Sequence, residues 1–180
     1  FDIEAQVCGL QEGDQISMEA LLNGLLLHSG NDNAVAIAEY AGDGSVEDFV
    51  NLMNKKAEEL GATNTHFVTP NGLHDENHYT TAYDMYLIFS NALKNDTFVS
   101  IIGTTSYDVT YTDASGEAVT HTWENTNQYL TGNATTPDGV QIVGGKTGTT
   151  GEAGYCLVLY SYNPSGQPII SIVFKADGKS

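Results

Sequence analysis

The chain has 180 residues, 41% of them hydrophobic, which suits one globular domain with a real core and not a disordered segment. Its formal net charge is −17, with 23 acidic residues against six lysines and no arginine. Such a surface repels phosphate backbones and anionic lipid headgroups, so nucleic-acid binding is excluded as a function class and membrane-surface binding is disfavoured.

No apolar run approaches the ~20 residues that span a bilayer. The opening FDIEAQVCGL has neither a basic start nor a long apolar stretch, so it does not read as a signal peptide, and it carries no initiator Met. It reads as the interior of something longer. Cys8 and Cys156 are too few for a disulfide scaffold. Cys156, inside GYCLVLYSY, reads as a small buried residue. A Cys8–Cys156 bridge stays open at this point, so the cysteines do not settle the redox compartment.

Helices come first. Ser17 is placed to cap one, with Glu19 in the first turn where negative charge suits the helix dipole. Met18, Leu21, Leu22, Leu25 and Leu26 follow one apolar face, and the helix is expected to end near His28. A second helix, in DNAVAIAEYA, is apolar on most sides and is expected to be buried. A third starts at Ser45, runs through Phe49, Val50, Leu52, Met53, Ala57 and Leu60, and stops at Gly61. Pro70-Asn71-Gly72 marks a long shaped loop. Thr81 with Asp84 resembles a capping box that opens a helix through Leu93, and a short helix follows near 96–102.

The period then changes. Tyr107, Val109 and Tyr111 alternate with polar residues, and EAVTHTW can pair back across the turn at Asp113–Gly116. Positions 124–141 are polar and irregular. AGYCLVLYSY and PIISIVF read as two core strands. Helices first and strands last give an α+β class and not a Rossmann-like alternation.

Two stretches could carry chemistry. Ser29-Gly30-Asn31 sits where one helix breaks and the next begins. Lys146-Thr147-Gly148 lies in GGKTGTTGEAGY, read as a Gly/Thr-rich turn just before a core strand. The glycines allow backbone to approach a ligand. Lys146 can grip a carboxylate, and the Thr149 N–H can face a developing oxyanion. Each stretch alone is an ordinary turn. The spacing of a phosphate-binding G-x-x-x-x-G-K loop is absent, so a nucleotide site is not supported.

Together they resemble the second and third motifs, S-x-N and K-T-G, of the penicillin-binding protein and serine β-lactamase superfamily. The likeness extends to LLLHSGNDNAVAIAEY, FVNLMNKKAEELGATNTHFVTPNGLHDENHYTTAYDM, NTNQYL and GGKTGTTGEAGYCLV. These are similar to the D-alanyl-D-alanine carboxypeptidases, the low-molecular-mass penicillin-binding proteins. The resemblance implies a DD-peptidase/β-lactamase-like α/β sandwich and cleavage of peptidoglycan stem peptides ending in D-Ala-D-Ala, with acylation by β-lactams and no metal or organic cofactor. It implies that Ser29 relays a proton to the leaving amine and that Asn31 bonds the substrate amide. Lys146 would order Ser29 and favour the terminal carboxylate. Thr147, Gly148 and Thr149 would line the substrate strand. It also implies an extracytoplasmic place of work.

One departure stands out. The family's nucleophile lies in a Ser-x-x-Lys motif, and here the residues three places before each lysine are Leu52, Met53, Asn91, Val143, Ile172 and Ala176. None is serine. Only 28 residues precede Ser29. The expectation is therefore a partial domain over 1–180, truncated at both ends, incomplete in its sandwich and unable to acylate by itself. At ~25 cal/mol per Å², the apolar area left uncovered could outweigh the ~5–15 kcal/mol stability of an ordinary domain. Rearrangement, self-association or pairing with a further segment is expected. Three other readings compete. A class A β-lactamase would need a Glu-x-x-x-Asn loop, of which Glu124 to Asn127 is one residue short. A zinc site could use His74, Asp75, Glu76 and His78, although the H-E-x-x-H spacing is missing and His28, His66 and His121 read as structural. A relative that binds stem peptides without cleaving them would also lack a nucleophile.

Overall fold

The structure, a computed structural model, describes residues 5–178. The first four residues of the opening segment and Lys179 lie outside the described residues. Five helices are followed by a hairpin, a one-turn helix and a three-stranded sheet. They are α1 (Met18–Asn23), α2 (Asn31–Ala41), α3 (Val46–Glu59), α4 (Ala82–Ala92), α5 (Asp96–Ile102), β1 (Ser106–Thr112), β2 (Ala118–Glu124), α6 (Gln128–Thr131), β3 (Gln141–Thr150), β4 (Gly154–Tyr162) and β5 (Pro168–Ala176).

The expected caps are in place. Ser17 Oγ accepts from the Ala20 N–H at 3.1 Å, Ser45 Oγ from Asp48 at 3.1 Å and Thr81 Oγ1 from Asp84 at 3.1 Å. The capping box at Thr81 is only half made. The Asp84 carboxylate turns away and accepts from the Asn64 N–H at 2.7 Å and the Thr65 hydroxyl at 2.8 Å, tying the loop before α4 to its first turn. That use of Asp84 explains its near-complete burial.

The first helix does reach His28, but Gly24–His28 is a π-helical turn. The Gly24 carbonyl receives N–H groups from both Ser29 and Gly30, the latter at 3.1 Å. Widening the turn swings Leu27 fully inside, a position that a simple α-helical stripe from Met18 does not include. α2 is less buried than its composition implies. Asn33, Ala34 and Ala38 face inward, whereas Tyr40 is 78% exposed.

Two apolar clusters hold the layers. Cys8, Ala20, Val109, Tyr111 and Trp123 join the hairpin to the N-terminal segment and α1. Phe89, Ile102 and Val158, with Leu26, Ile170, Ile172 and Phe174 around them, join α4 and α5 to the inner face of the sheet. The sheet is antiparallel in the order β3-β4-β5, so β3 and β5 are both edges. Its outer face is more open, with Ile169 at 40% and Val173 at 48% exposure.

Candidate active site

Lys146-Thr147-Gly148 lies within β3, and the turn reading is corrected on this point. Lys146 pairs with Val158, Gly148 with Cys156 and Thr149 with Tyr155, so the chain turns only after Thr150. Glycine-rich sequence has low strand propensity, and pairing with β4 overrides it. The glycines also serve a different purpose from the one expected. A Cβ on Gly144 would lie 2.4 Å from the Ile102 carbonyl oxygen, and one on Gly145 would lie 2.2 Å from that of Val158. These two bring β3 against α5 and β4, not against a ligand. Gly148 alone of the three is open, with Cys156 Cβ at 3.9 Å as the nearest atom.

The sheet carries Lys146 to the junction between the helices. Its Nζ donates to Ser29 Oγ, 117 positions away in sequence, and to the Thr147 carbonyl at 2.8 Å. Burial pushes the Lys146 ammonium down from the ordinary 10.5 to about 8. Among the described residues the one ion pair is the exposed Lys56–Glu59 contact, so no carboxylate offsets that burial. A lysine so placed stays mostly protonated at pH 7 but reaches balance between its two protonation states near pH 8, well below the ordinary lysine range. It can take a proton from a hydroxyl or return one.

Ser29 holds φ 62°, ψ 37°, the left-handed region, at the end of the π-helical turn. This conformation aims its hydroxyl toward β3 while α2 begins two residues later. Asn31 opens α2, and both its backbone N–H and its side-chain NH2 donate to the Gln6 carbonyl, each at 2.9 Å. Thr147 and Thr149 alternate with Lys146 and Gly148 along the strand, so they share the opposite face. Thr149 and Gly148 are exposed. Ser29, Lys146 and Thr147 are thus brought together. Asn31 stands two residues from Ser29, and Gly148 and Thr149 extend along the open edge.

Several contributors are not visible in the sequence. Thr126 Oγ1 lies 2.5 Å from Thr147 Oγ1, and its backbone N–H donates to the Leu27 carbonyl at 3.1 Å. Its loop is anchored by Asn125, whose side chain donates to the Thr104 carbonyl at 2.8 Å and accepts from the Asn127 N–H at 2.8 Å. The asparagines flanking Thr126 in NTNQYL are the signal for such a polar anchor. Gln6 left no signal, because its backbone carbonyl does the work.

The competing sites do not assemble. His78 Nδ1 accepts from the Val68 N–H at 3.1 Å, and burial lowers its pKa. His66 Nδ1 meets the Asn77 carbonyl at 2.6 Å. These nitrogens shape their own loop, and among the described residues no three His, Cys, Asp or Glu side chains converge to hold a metal. Glu124 is exposed at the end of β2, whereas Asn127 is buried and accepts from the Tyr129 N–H at 3.1 Å, so they form no catalytic pair. Both cysteines are free. Cys8 lies beneath α2 and Cys156 lies on β4, so the bridge left open by the sequence does not form. Burial first, then the nearby Asp32, pushes the Cys8 thiol up to about 12. A hollow of about 530 Å³ between α1 and α5, lined by Glu19, Leu22, Asp96 and Ser100 among others, touches none of the site residues.

A helical layer, an antiparallel sheet and a lysine crossing from the sheet to a serine between helices define a DD-peptidase-type cleft. The chain belongs to the D-alanyl-D-alanine carboxypeptidase family, whose sequence pattern it matches over residues 2–178. It is 40% identical over 168 residues to D-alanyl-D-alanine carboxypeptidase DacF of Bacillus subtilis, covering 93% of this chain and 40% of that one. It is 36% identical over 167 residues to a Streptomyces D-alanyl-D-alanine carboxypeptidase, covering 89% of this chain and 55% of the relative. The crystal structure of a Streptomyces DD-transpeptidase superposes with a TM-score of 0.87 at 36% identity, over 97% of this chain and 66% of that one. The chain therefore spans about two-fifths to a little over half of the length of the two curated relatives.

Proposed function

We propose that these residues form the proton-relay and substrate-strand side of a serine-type D-Ala-D-Ala carboxypeptidase site, as part of one such domain. The observation that carries this reading is the Lys146 ammonium on the Ser29 hydroxyl across the helix–sheet junction. A serine nucleophile attacks the carbonyl of the penultimate D-Ala, and its oxygen forms the acyl bond as the peptide C–N bond breaks. The proton leaving the attacking hydroxyl passes to the lysine of the Ser-x-x-Lys motif and on through Ser29 to the departing amine, while Lys146 holds Ser29 in place and supplies positive charge to the terminal carboxylate. Thr147 and Thr149 lie along the substrate, with the Thr149 N–H facing the oxyanion, and Asn31 bonds the substrate amide. Water then releases the acyl group. A β-lactam enters the same first step. The substrate places this work outside the cytoplasm. Among the described residues no helix is long and apolar enough to cross a membrane.

No Ser-x-x-Lys occurs in the 180 residues. We therefore also propose that they form no acyl-enzyme by themselves, and that the open sheet face around Ile169 and Val173 drives self-association. Titration of the ¹⁵N-labelled chain with a diacetyl-Lys-D-Ala-D-Ala peptide tests the site. Resonances of Ser29, Asn31 and Lys146 to Thr149 are expected to move, and an L-Ala-L-Ala peptide is expected to leave them still. Equal responses to both peptides would sink the reading. Covalent labelling by a fluorescent penicillin would overturn the second proposal, and a concentration-independent monomer in light scattering would overturn the third.

A further inference from the structure

Asp32, the second residue of α2, has no role in the relay described above, yet its carboxylate is saturated with backbone donors. Oδ1 accepts from the Cys8 N–H at 2.9 Å and from its own neighbour Asn33 at 3.0 Å. Oδ2 accepts from Gly9 at 2.8 Å and Leu10 at 2.9 Å. Three consecutive N–H groups can converge on one carboxylate because Gly9 adopts φ +90°, a conformation open to glycine at little cost. Residues 6–10 therefore form a strap laid across the start of α2. The strap is pinned a second time at its other end, where the Gln6 carbonyl takes both the backbone N–H and the side-chain NH2 of Asn31.

These two pins act on neighbouring residues of one helix turn. A carbonyl can bond only the NH2 side of an amide, so the Gln6 contact fixes which way Asn31 faces. One amide hydrogen is held by Gln6. The second hydrogen and the Oδ1 atom remain, and among the described residues Oδ1 accepts no hydrogen bond. A substrate amide offers one donor and one acceptor, which these two groups match. Gln6 is exposed, and its side-chain Nε2 meets His28 Nε2 at 2.6 Å, which ties the far end of the strap to the π-helical turn. The position of its carbonyl is set by this contact at one end and, along residues 8–10, by the charge-assisted bonds of the strap to Asp32.

We infer that Asp32 is a positioning residue, which fixes the orientation of the Asn31 amide through the 6–10 strap. This rests on the carboxypeptidase reading only for the use to which the oriented amide is put. The orientation itself belongs to the chain alone. The nearby Asn33 side chain does not perform this task, because it points inward and donates to the Leu21 carbonyl at 3.2 Å.

Hydrogen exchange and side-chain amide spectra of the ¹⁵N-labelled chain decide the matter. In Asp32→Asn, exchange at the Cys8, Gly9 and Leu10 amides is expected to quicken at least ~10-fold, since bonds to a charged acceptor are lost. The Asn31 NH2 pair is expected to quicken by a similar factor, and its two shifts are expected to move toward those of a free asparagine amide. Asp84→Asn removes a buried carboxylate at a different site and is expected to leave Asn31 unchanged. If Asp32→Asn does not fold, the unmodified chain still answers. The Asn31 NH2 and the strap amides should exchange with one common protection, as a single opening event. An Asn31 signal untouched in Asp32→Asn, or one that exchanges freely while the strap stays protected, overturns the inference. A chain that keeps this coupling but shows no response to the D-Ala-D-Ala peptide would instead count against the carboxypeptidase reading.

Discussion

Replacing Lys146 by methionine keeps the length of the side chain and removes its charge. The structure predicts the sign of the effect on stability and its dependence on pH. The Lys146 ammonium titrates near 8 when folded and near 10.5 when unfolded. Between those values the unfolded chain binds the extra proton, so stability rises with pH across that window. Below pH 8 the protonated lysine carries its whole burial cost, on the order of 3 kcal/mol from a shift of about 2.5 units. Methionine removes that cost but also removes the bonds to Ser29 and to the Thr147 carbonyl, each worth roughly 1 kcal/mol. Lys146→Met is therefore expected to be about 1 kcal/mol more stable than the parent at pH 7 and to lose that advantage as pH approaches 10. Urea unfolding followed by circular dichroism at half-unit steps from pH 7 to 10 measures it, provided both chains share one m-value. Other groups titrate here too: the Cys8 thiol, raised when folded, makes stability fall above pH 9. The difference between the two chains cancels that contribution. A difference that is flat from pH 7 to 10 would show that the folded ammonium is not depressed, and the reasoning from burial would fail.

The left-handed Ser29 sets a second expectation. Ser29→Gly relieves strain of about 1 kcal/mol while losing one hydrogen bond, so its midpoint should stay within ~0.5 kcal/mol of the parent, whereas Ser29→Val, β-branched at φ 62°, should cost ~2 kcal/mol or more by the same urea assay. Adding a methyl to β3 should be sharply position-dependent: Gly145→Ala meets the Val158 carbonyl and is expected to cost ~3 kcal/mol, while Gly148→Ala enters open space and should cost under ~1 kcal/mol. At pH 8 a chromogenic disulfide reagent should modify half-buried Cys156 quickly and leave Cys8, 8% exposed, unreacted until the chain unfolds; two fast thiols would contradict the packing beneath α2.

The helix starts are legible in the sequence because a cap is a local event. Ser17, Ser45 and Thr81 each bond an N–H three residues on, and no other part of the chain is needed to predict it. The hairpin is legible for a similar reason, since Asp113 Oδ1 accepts from the Ser115 N–H, Ser115 hydroxyl and Glu117 N–H within its own turn. β3 is not. Its glycine and threonine content reads as a turn, and only the approach of β4 and α5 makes it a strand. The π-helical turn is hidden for a related reason. It exists because Ser29 and Gly30 both converge on the Gly24 carbonyl, and that demand comes from the path into α2. The pairing of Ser29 with Lys146 was accessible only through resemblance to known motifs, because periodicity carries nothing across 117 positions. The strap, which works through the Gln6 carbonyl, leaves no residue-type signal of its own.

Each of the three residues at 29–31 answers a separate physical demand, and the middle one offers a direct test. Ser29 supplies the hydroxyl that Lys146 reaches, and Asn31 supplies the amide that Gln6 holds. Gly30 has φ −63°, which any residue adopts, so its backbone conformation does not call for glycine. Space does. A Cβ there would lie 2.4 Å from Asn33 Oδ1 and 2.7 Å from Cys8 Sγ, both inside the closed cluster under α2. Gly30→Ala should therefore cost about 1–3 kcal/mol through overpacking, lowering the melting temperature by roughly 2–9 °C for a chain of this size. Asn33 is the neighbour that can yield, since among the described residues its Oδ1 has no hydrogen-bond partner to give up. In Gly30→Ala/Asn33→Ala the Cβ gains room on one side, so the double substitution should cost about 1 kcal/mol less than the sum of the two single ones. Strict additivity would mean that the two side chains do not compete for the same space. A fully tolerated Gly30→Ala would mean that the backbone between the π-helical turn and α2 gives way more easily than the crowding beneath it requires.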